Sequence, residues 1–187
     1  MEELKARVRT TQFRAARAAN AEVIHLYWSI GRDILDRQER QGWGAKVIKR
    51  LSVDLRAEFP GQSGWSETSL KYMRMLAVAC PTLEAIGQQA ADQLPWGHVM
   101  LLLGKTKSAE DREWYARRSV EGGWSRAVLG LKIDTRAKER IGKAPSNFAA
   151  RLDSPDSDLA QEMVTDPYVF EHVALTDPPS SVRSRTR

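Results

Sequence analysis

The sequence contains little of the chemistry that a metal or redox centre needs. It has one cysteine, Cys80, so no internal disulfide can form and a cysteine-based zinc site is excluded. Its three histidines, His25, His98 and His172, lie far apart, and none has the spacing of a metal-ligand pair. We expect a core or capping role for His98, and we expect neither a metal nor a cofactor.

The motifs of common enzymes are missing as well. Gly42-Trp43-Gly44 has neither the preceding strand nor the further glycines of a phosphate-binding loop, and no G-x-S-x-G sequence occurs. Metal-dependent nucleases commonly place an Asp on one strand and Glu-x-Lys on the next. The single E-x-K here, Glu3-Leu4-Lys5, lies in a predicted helix without such a strand. We therefore predict no catalytic residues and no enzymatic activity of the chain itself.

Long apolar runs are absent too. The longest, at residues 99–103, is far shorter than the ~18 apolar residues that span a bilayer. Residues 1–17 are charged throughout, which is unlike a signal peptide. A single cysteine also fits a reducing compartment. These features predict a cytoplasmic protein with no membrane partner.

Positive charge, in contrast, is plentiful and unevenly distributed. The chain carries 29 Lys and Arg against 24 Asp and Glu, a net charge of +5, with an isoelectric point near 9.5. Residues 1–58 and 101–152 contribute +4 and +6, whereas residues 153–187 contribute −4. Two basic blocks of this kind favour a polyanionic partner such as nucleic acid.

Apolar residues recur at helical spacing along most of the chain, and no strong alternation indicates a strand. The pattern predicts an all-α, multi-helix domain with a long helix over residues 2–41 and a candidate break near Gly31. Further helices are predicted at 44–59, 66–79, 97–104, 108–121 and 125–140. The corresponding divisions are a long N-terminal helix at 1–43, a helical core at 44–152, a short helical linker at 153–175 and a disordered tail at 176–187.

One motif, G-W-S-x-x-x-L, occurs twice, at residues 64–70 and 123–129. A serine in this position can cap a helix by accepting a hydrogen bond from an otherwise unpaired amide. The tryptophan before it and the leucine within the helix form a hydrophobic staple. Each copy therefore predicts a well-defined helix start after a turn.

Because each motif follows another helix, the chain is predicted to hold two helix–turn–helix-like pairs, 44–59 with 66–79 and 108–121 with 125–140. The first residues of the second helix face the major groove in such units. Here these are Glu67, Thr68 and Lys71 in one pair and Arg126 and Lys132 in the other. Two capped helices in an ordinary bundle would give the same pattern, and the first turn is longer than the ~3–4 residues of a standard unit.

The basic residues of the two pairs are the candidate phosphate contacts, with Lys71 and Arg126 predicted nearest to base edges. Solvated helix charges are the alternative for any one of them. The predicted nucleic-acid-binding residues are Lys46, Lys49, Arg50, Lys71, Arg74, Arg117, Arg118, Arg126, Lys132 and Arg136.

Several segments, spread from about residue 12 to residue 175, resemble the YhcG-like family of predicted bacterial nucleases. The segments include Leu26-Tyr27-Trp28-Ser29-Ile30-Gly31, Gly42-Trp43-Gly44-Ala45-Lys46, Ser69-Leu70-Lys71-Tyr72-Met73-Arg74, Gln93-Leu94-Pro95-Trp96-Gly97-His98, Gly123-Trp124-Ser125 and Asp166-Pro167-Tyr168. The resemblance implies a helical N-terminal domain that binds DNA and that precedes, in full-length members, a nuclease domain of the PD-(D/E)xK type. The similarity stops after Leu175, so no nuclease residue carries over to this chain.

We thus expect a DNA-binding module with double-stranded DNA as its partner. The alternative is a protein–protein interaction module. In that case the helix from Arg7 to Leu35 would pair with a second copy or with a separate nuclease subunit.

Overall fold

A computed structural model describes residues 1–41, 46–83, 85, 90–141 and 158–165. Within them the defined elements are α-helices and one 3-10 helix at Ala90–Gln93, with no strand, which confirms the all-α prediction. The predicted tail at 176–187 and most of the segment 153–175 lie outside the described residues. The helices are α1 (Glu2–Gln41), α2 (Lys46–Glu58), α3 (Glu67–Ala79), α4 (Trp96–Lys105), α5 (Ala109–Gly122), α6 (Arg126–Asp134), α7 (Ala137–Ile141) and α8 (Asp158–Thr165).

The core is built around α1, which packs along α3. Ile24, Tyr27 and Ile34 are fully buried at a spacing that places them on one face of α1. The ring of Tyr27 lies edge-on to the ring of Trp96, with 4.8 Å between the ring centroids. This contact joins α1 to α4 and extends one hydrophobic cluster through both helices.

The break predicted near Gly31 is wrong, because α1 continues through this residue without interruption. A Cβ atom built on Gly31 would overlap the backbone carbonyl of Met73 on α3 and lie 3.0 Å from the Cβ of Ala77. Gly31 therefore lies where α1 crosses α3, and it does not mark the end of a helix. The missing side chain lets the α1 and α3 backbones approach closely.

The two G-W-S-x-x-x-L motifs form the helix starts that the sequence predicts. Ser66 Oγ accepts a hydrogen bond from the Ser69 amide at 3.0 Å, and Ser125 Oγ accepts one from the Val128 amide at 3.4 Å. The preceding glycines adopt φ values of +101° at Gly64 and +58° at Gly123, which favour glycine. The apolar residues of both motifs are buried in one cluster: Trp65, Leu70, Trp124 and Leu129.

The helix predicted over 125–140 is interrupted, so this prediction is wrong in part. α6 ends at Asp134, Arg136 has a φ of +50°, and α7 begins at Ala137. The Thr135 hydroxyl donates to the Leu131 carbonyl at 2.8 Å, a back-bond that commonly bends helices. The turn allows Ala137 to enter the core and Lys138 to reach α5.

A second, smaller cluster joins the two ends of the described chain. Phe13 of α1 packs with Ala160 and Met163 of α8, and Ala16 lies beside them. This contact holds α8 against the N-terminal half of α1. No helix among the described residues is long and apolar enough to cross a bilayer.

Candidate nucleic-acid interface

The first helix pair carries cations on an open face of α2. Lys46, Lys49 and Arg50 are exposed, and their spacing of three and four residues places them side by side. Arg50 contacts Asp54 at 3.9 Å, with both side chains mostly exposed. On the opposite face, Ser52 Oγ donates to the Trp65 carbonyl at 2.6 Å and fixes α2 to the turn before α3.

The start of α3 is also accessible. Glu67, Thr68 and Lys71 are all exposed in its first turns. Arg74 has a different environment: it is half-buried, and its Nη1 donates to Gln38 Oε1 of α1 at 3.3 Å. Lys71 therefore lies on the solvent face of α3, whereas Arg74 contributes to the contact between α1 and α3.

The cations of α5 are paired within their own helix. Arg117 contacts Glu113 and Arg118 contacts Glu121, each at 3.1 Å. The Arg118 guanidinium also lies 5.7 Å from the centre of the Trp114 ring. These groups belong to a groove of about 310 Å³ that has acidic and basic side chains on the same wall: Glu110, Glu113, Trp114, Arg117, Arg118 and Glu121.

The remaining predicted contacts lie around α6. Lys132 Nζ is 5.6 Å from the centre of the Trp124 ring, and Arg136 Nη1 is 3.9 Å from Glu139 Oε2. Arg126 is exposed, and its backbone amide donates to both carboxylate oxygens of Glu162, each at 3.1 Å. An acidic side chain of α8 thus lies at the first turn of α6.

The two pairs therefore differ in their free positive charge. In the first pair, Lys46, Lys49 and Lys71 have no carboxylate partner among the residues that the structure describes. In the second pair, Arg117 and Arg118 each contact a glutamate, whereas the side chains of Arg126 and Lys132 have no carboxylate partner within the described ranges. Lysines without local counter-ions are the more available for a polyanion, because an ion-paired cation must first lose its carboxylate.

His98 occupies the core, as the sequence predicts. It is fully buried, its Nε2 donates to the Trp124 carbonyl at 2.9 Å, and its Nδ1 lies 3.5 Å from Glu162. Burial lowers the pKa of His98 below its ordinary value of 6.5, and this effect outweighs the opposing influence of the Trp124 carbonyl and the Glu162 carboxylate. No cluster of three or more metal-binding side chains occurs within the described ranges.

The lowered pKa gives a prediction for stability. The unfolded chain takes up a proton near pH 6.5 while the folded His98 stays neutral, so the free energy of unfolding should fall as the pH drops through that value. Urea unfolding at about pH 7.5 and about pH 5.5 measures this loss. His98→Gln keeps a donor for the Trp124 carbonyl but cannot titrate, so its loss should be smaller. Equal losses in both proteins would contradict the prediction.

Two residues of this region were missed in the sequence. Glu162 contacts Arg126 across 36 positions, and Lys138 Nζ donates to Glu110 at 2.8 Å and to Asp111 at 2.7 Å across 28 and 27 positions. No local pattern marks such partners. The pairs inside α5, in contrast, follow the three- and four-residue spacing of a helix and could have been predicted.

The chain can be compared with known proteins. The DUF1016 N-terminal domain family matches residues 3–140, which cover nearly all of α1 to α7. A curated protein named "Putative nuclease YhcG", from Escherichia coli (strain K12), is 25% identical over 197 residues; the alignment covers 86% of this chain and 52% of the relative. The chain thus spans about half the length of this relative. No solved structure matches the chain. Because the family match extends over most of the chain, this protein belongs to the DUF1016 N-terminal domain family.

Proposed function

We propose that this domain binds double-stranded DNA through the exposed face of α2 and α3. The observation that carries the proposal is the set of lysines without a described carboxylate partner: Lys46, Lys49 and Lys71. Each lysine that meets a phosphate releases condensed counter-ions, which favours binding at low salt. The name of the curated relative, "Putative nuclease YhcG", adds support, since a nuclease must hold nucleic acid.

The geometry gives the two helix pairs different roles in this proposal. Residues 59–66, which connect α2 to α3, form a longer turn than that of a standard helix–turn–helix. The lysines of this pair, Lys46, Lys49 and Lys71, are nevertheless exposed to solvent. Residues 123–125 join α5 to α6, which matches the standard length of ~3–4 residues. The α2–α3 pair would supply phosphate contacts, and the start of α6, with Arg126, would supply a second contact.

Catalysis is not part of the proposed role. The described residues hold no metal-binding cluster, and the one E-x-K sequence lies in α1.

A salt titration tests the proposal. Fluorescence anisotropy of a labelled duplex should show binding at about 50 mM salt, and the three lysines together with Arg126 should give a slope of about −3.6 in a plot of log K against log salt. The same titration with a labelled single strand measures the preference for duplex. Absence of duplex binding at about 50 mM salt would contradict the proposal.

One observation favours the alternative of a protein-binding role. Leu4 and Val8 of α1 lie one turn apart and are 56% and 48% exposed, in a stretch where every residue from 1 to 12 is exposed. An apolar pair of this kind can contact another helix. Light scattering that detects a dimer, together with absence of duplex binding, would favour this role over DNA binding.

A further inference from the structure

The first three turns of α1 are open to solvent on all sides. Every residue from 1 to 12 is exposed, and Phe13 is the first residue of the helix that is buried. At 1.5 Å per residue, this segment covers about 18 Å of helix axis. Its apolar residues, Leu4 and Val8, are therefore not part of the core that the structure describes.

Leu4 and Val8 begin a stripe that has the spacing of a coiled-coil seam. The stripe continues in steps of three and four residues through Thr11 and Ala15 to Ala18, and all five residues are exposed. We call these five residues the outer face of α1. Leu4 and Val8 are large and apolar, whereas Ala15 and Ala18 are small, so the outer face leaves room for large apolar side chains of another helix.

The outer face lies on the opposite side of α1 from the residues that the helix buries. Phe13, Asn20 and Tyr27 are seven residues apart, and all three are buried. At about 100° per residue, they lie roughly 145° around the helix axis from the outer face. A second helix could therefore pack on the outer face without displacing these buried residues.

The positions that flank the outer face indicate the charge of such a helix. In the heptad these flanking positions are Lys5, Gln12 and Ala19 along one edge and Arg7, Arg14 and Ala21 along the other. Three of them are cations and none is acidic. Lys5 contacts Glu2 at 2.8 Å, but both side chains are mostly exposed, so this pair holds Lys5 weakly. Charges at flanking positions set the choice of partner between paired helices.

A second copy of the chain is a poor match to these edges. Pairing two copies would bring Lys5, Arg7 and Arg14 together with the same cations, and no flanking position would supply a carboxylate. Like charges placed opposite one another disfavour a complex. Glutamate or aspartate at the flanking positions of a different helix would instead meet three cations.

We propose that the outer face of α1 binds an acidic amphipathic helix of a partner protein. Leu4 and Val8 pack against large apolar side chains of that helix, and Lys5, Arg7 and Arg14 contact its carboxylates. This surface lies on α1, whereas the lysines proposed to bind DNA lie on α2 and α3. The two activities can therefore be tested independently.

The test uses two labelled model helices as probes. Both carry leucine at their seam positions; one has glutamate at the flanking positions, which also prevents it from pairing with itself, and the other has lysine there. In fluorescence anisotropy at about 50 mM salt, the full chain should bind the glutamate peptide at least about tenfold more tightly than the lysine peptide, because only the latter brings like charges together. Equal affinities for the two peptides would refute the selection of an acidic partner.

A pair of variants locates the binding surface. Leu4→Ala/Val8→Ala should lower the affinity for the glutamate peptide about tenfold or more, because two apolar side chains no longer leave water on binding. Leu131→Ala/Val53→Ala is the matched control, since it removes the same two side chains from positions that are 62% and 60% exposed on α6 and α2. It should change the affinity by less than about twofold. Equal losses in the two variants would refute the outer face.

Oligomeric state tests the other occupant of the outer face. Light scattering should find a monomer at the concentrations used for the titrations. A dimer that Leu4→Ala/Val8→Ala abolishes, together with absence of binding to the glutamate peptide, would show that a second copy occupies the face and would overturn the proposal. A monomer that does not bind the glutamate peptide would overturn it as well.

Duplex binding tests whether nucleic acid uses the same cations. Arg7→Gln/Arg14→Gln should weaken binding of the glutamate peptide by about threefold or more, because two ion pairs are lost. Its affinity for a labelled duplex should stay within about twofold of the wild type at ~100 mM salt, since charges remote from the bound phosphates are screened. A loss for the duplex as large as the loss for the peptide would assign these arginines to nucleic acid and overturn the proposal. The peptide measurements stand whether or not the chain binds duplex.

Discussion

Gly31→Ala should destabilise the domain by about 2 kcal/mol or more, although alanine is the better helix former. The added Cβ would overlap the Met73 carbonyl, which belongs to the backbone of α3 and cannot rotate away. Either the two helices move apart or the backbone distorts, and both changes disrupt the buried contact between α1 and α3. Urea unfolding followed by circular dichroism measures the loss.

Gly130→Ala is the matched control, because Gly130 also lies within a helix. Its added Cβ would meet only the Leu101 side chain at 3.6 Å, an ordinary van der Waals contact. This substitution should therefore stabilise the domain by about 0.5–1 kcal/mol through helix propensity and lower unfolded-state entropy. Stabilisation by both substitutions would show that α1 and α3 do not approach closely at Gly31.

Replacing Lys46, Lys49 and Lys71, which have no carboxylate partner in the described part of the chain, should weaken duplex binding strongly. For the variant Lys46→Ala/Lys49→Ala/Lys71→Ala we expect an affinity about ten- to a hundredfold lower at ~100 mM salt, because three phosphate contacts are lost. The salt slope should also become shallower by about 3. Anisotropy titrations at several salt concentrations measure both quantities on one labelled duplex.

Three cations of α5 and of the turn between α6 and α7 provide a control variant with the same loss of charge. Arg117→Ala/Arg118→Ala/Arg136→Ala removes three cations that each contact a glutamate. Its affinity should fall by about threefold or less, because these cations are already partly neutralised. Equal losses in the two variants would mean that net charge alone governs binding, with no role for the α2–α3 face.

The contrast between the two glycine substitutions shows where sequence reasoning fails. Gly31 and Gly130 both lie in apolar helical patterns. A glycine in such a pattern is either tolerated within the helix at some cost in stability or marks a break in the helix. Only the packing of α3 against α1 distinguishes them. Helix propensity acts within one helix, whereas the close approach at Gly31 depends on a residue 42 positions away.

The break at Thr135 and Arg136 has a similar origin. Nothing in the spacing of apolar residues over 125–140 requires a turn, and the sequence predicts one helix. The structure ends α6 at Asp134 so that Ala137 is buried and Lys138 reaches two acidic side chains of α5. Tertiary contacts thus override a continuous local pattern.

By itself the sequence determined the helical class, the approximate helix positions and the serine-capped starts of α3 and α6. Each of these depends on interactions within one helix or between residues a few positions apart, so spacing is enough to reveal them. The tertiary structure decided which cations are paired, that α1 is continuous, and that Glu162 lies on α6. These features are contacts between segments far apart in the chain. The free energy of each contact depends on distances that only the packing of the helices sets.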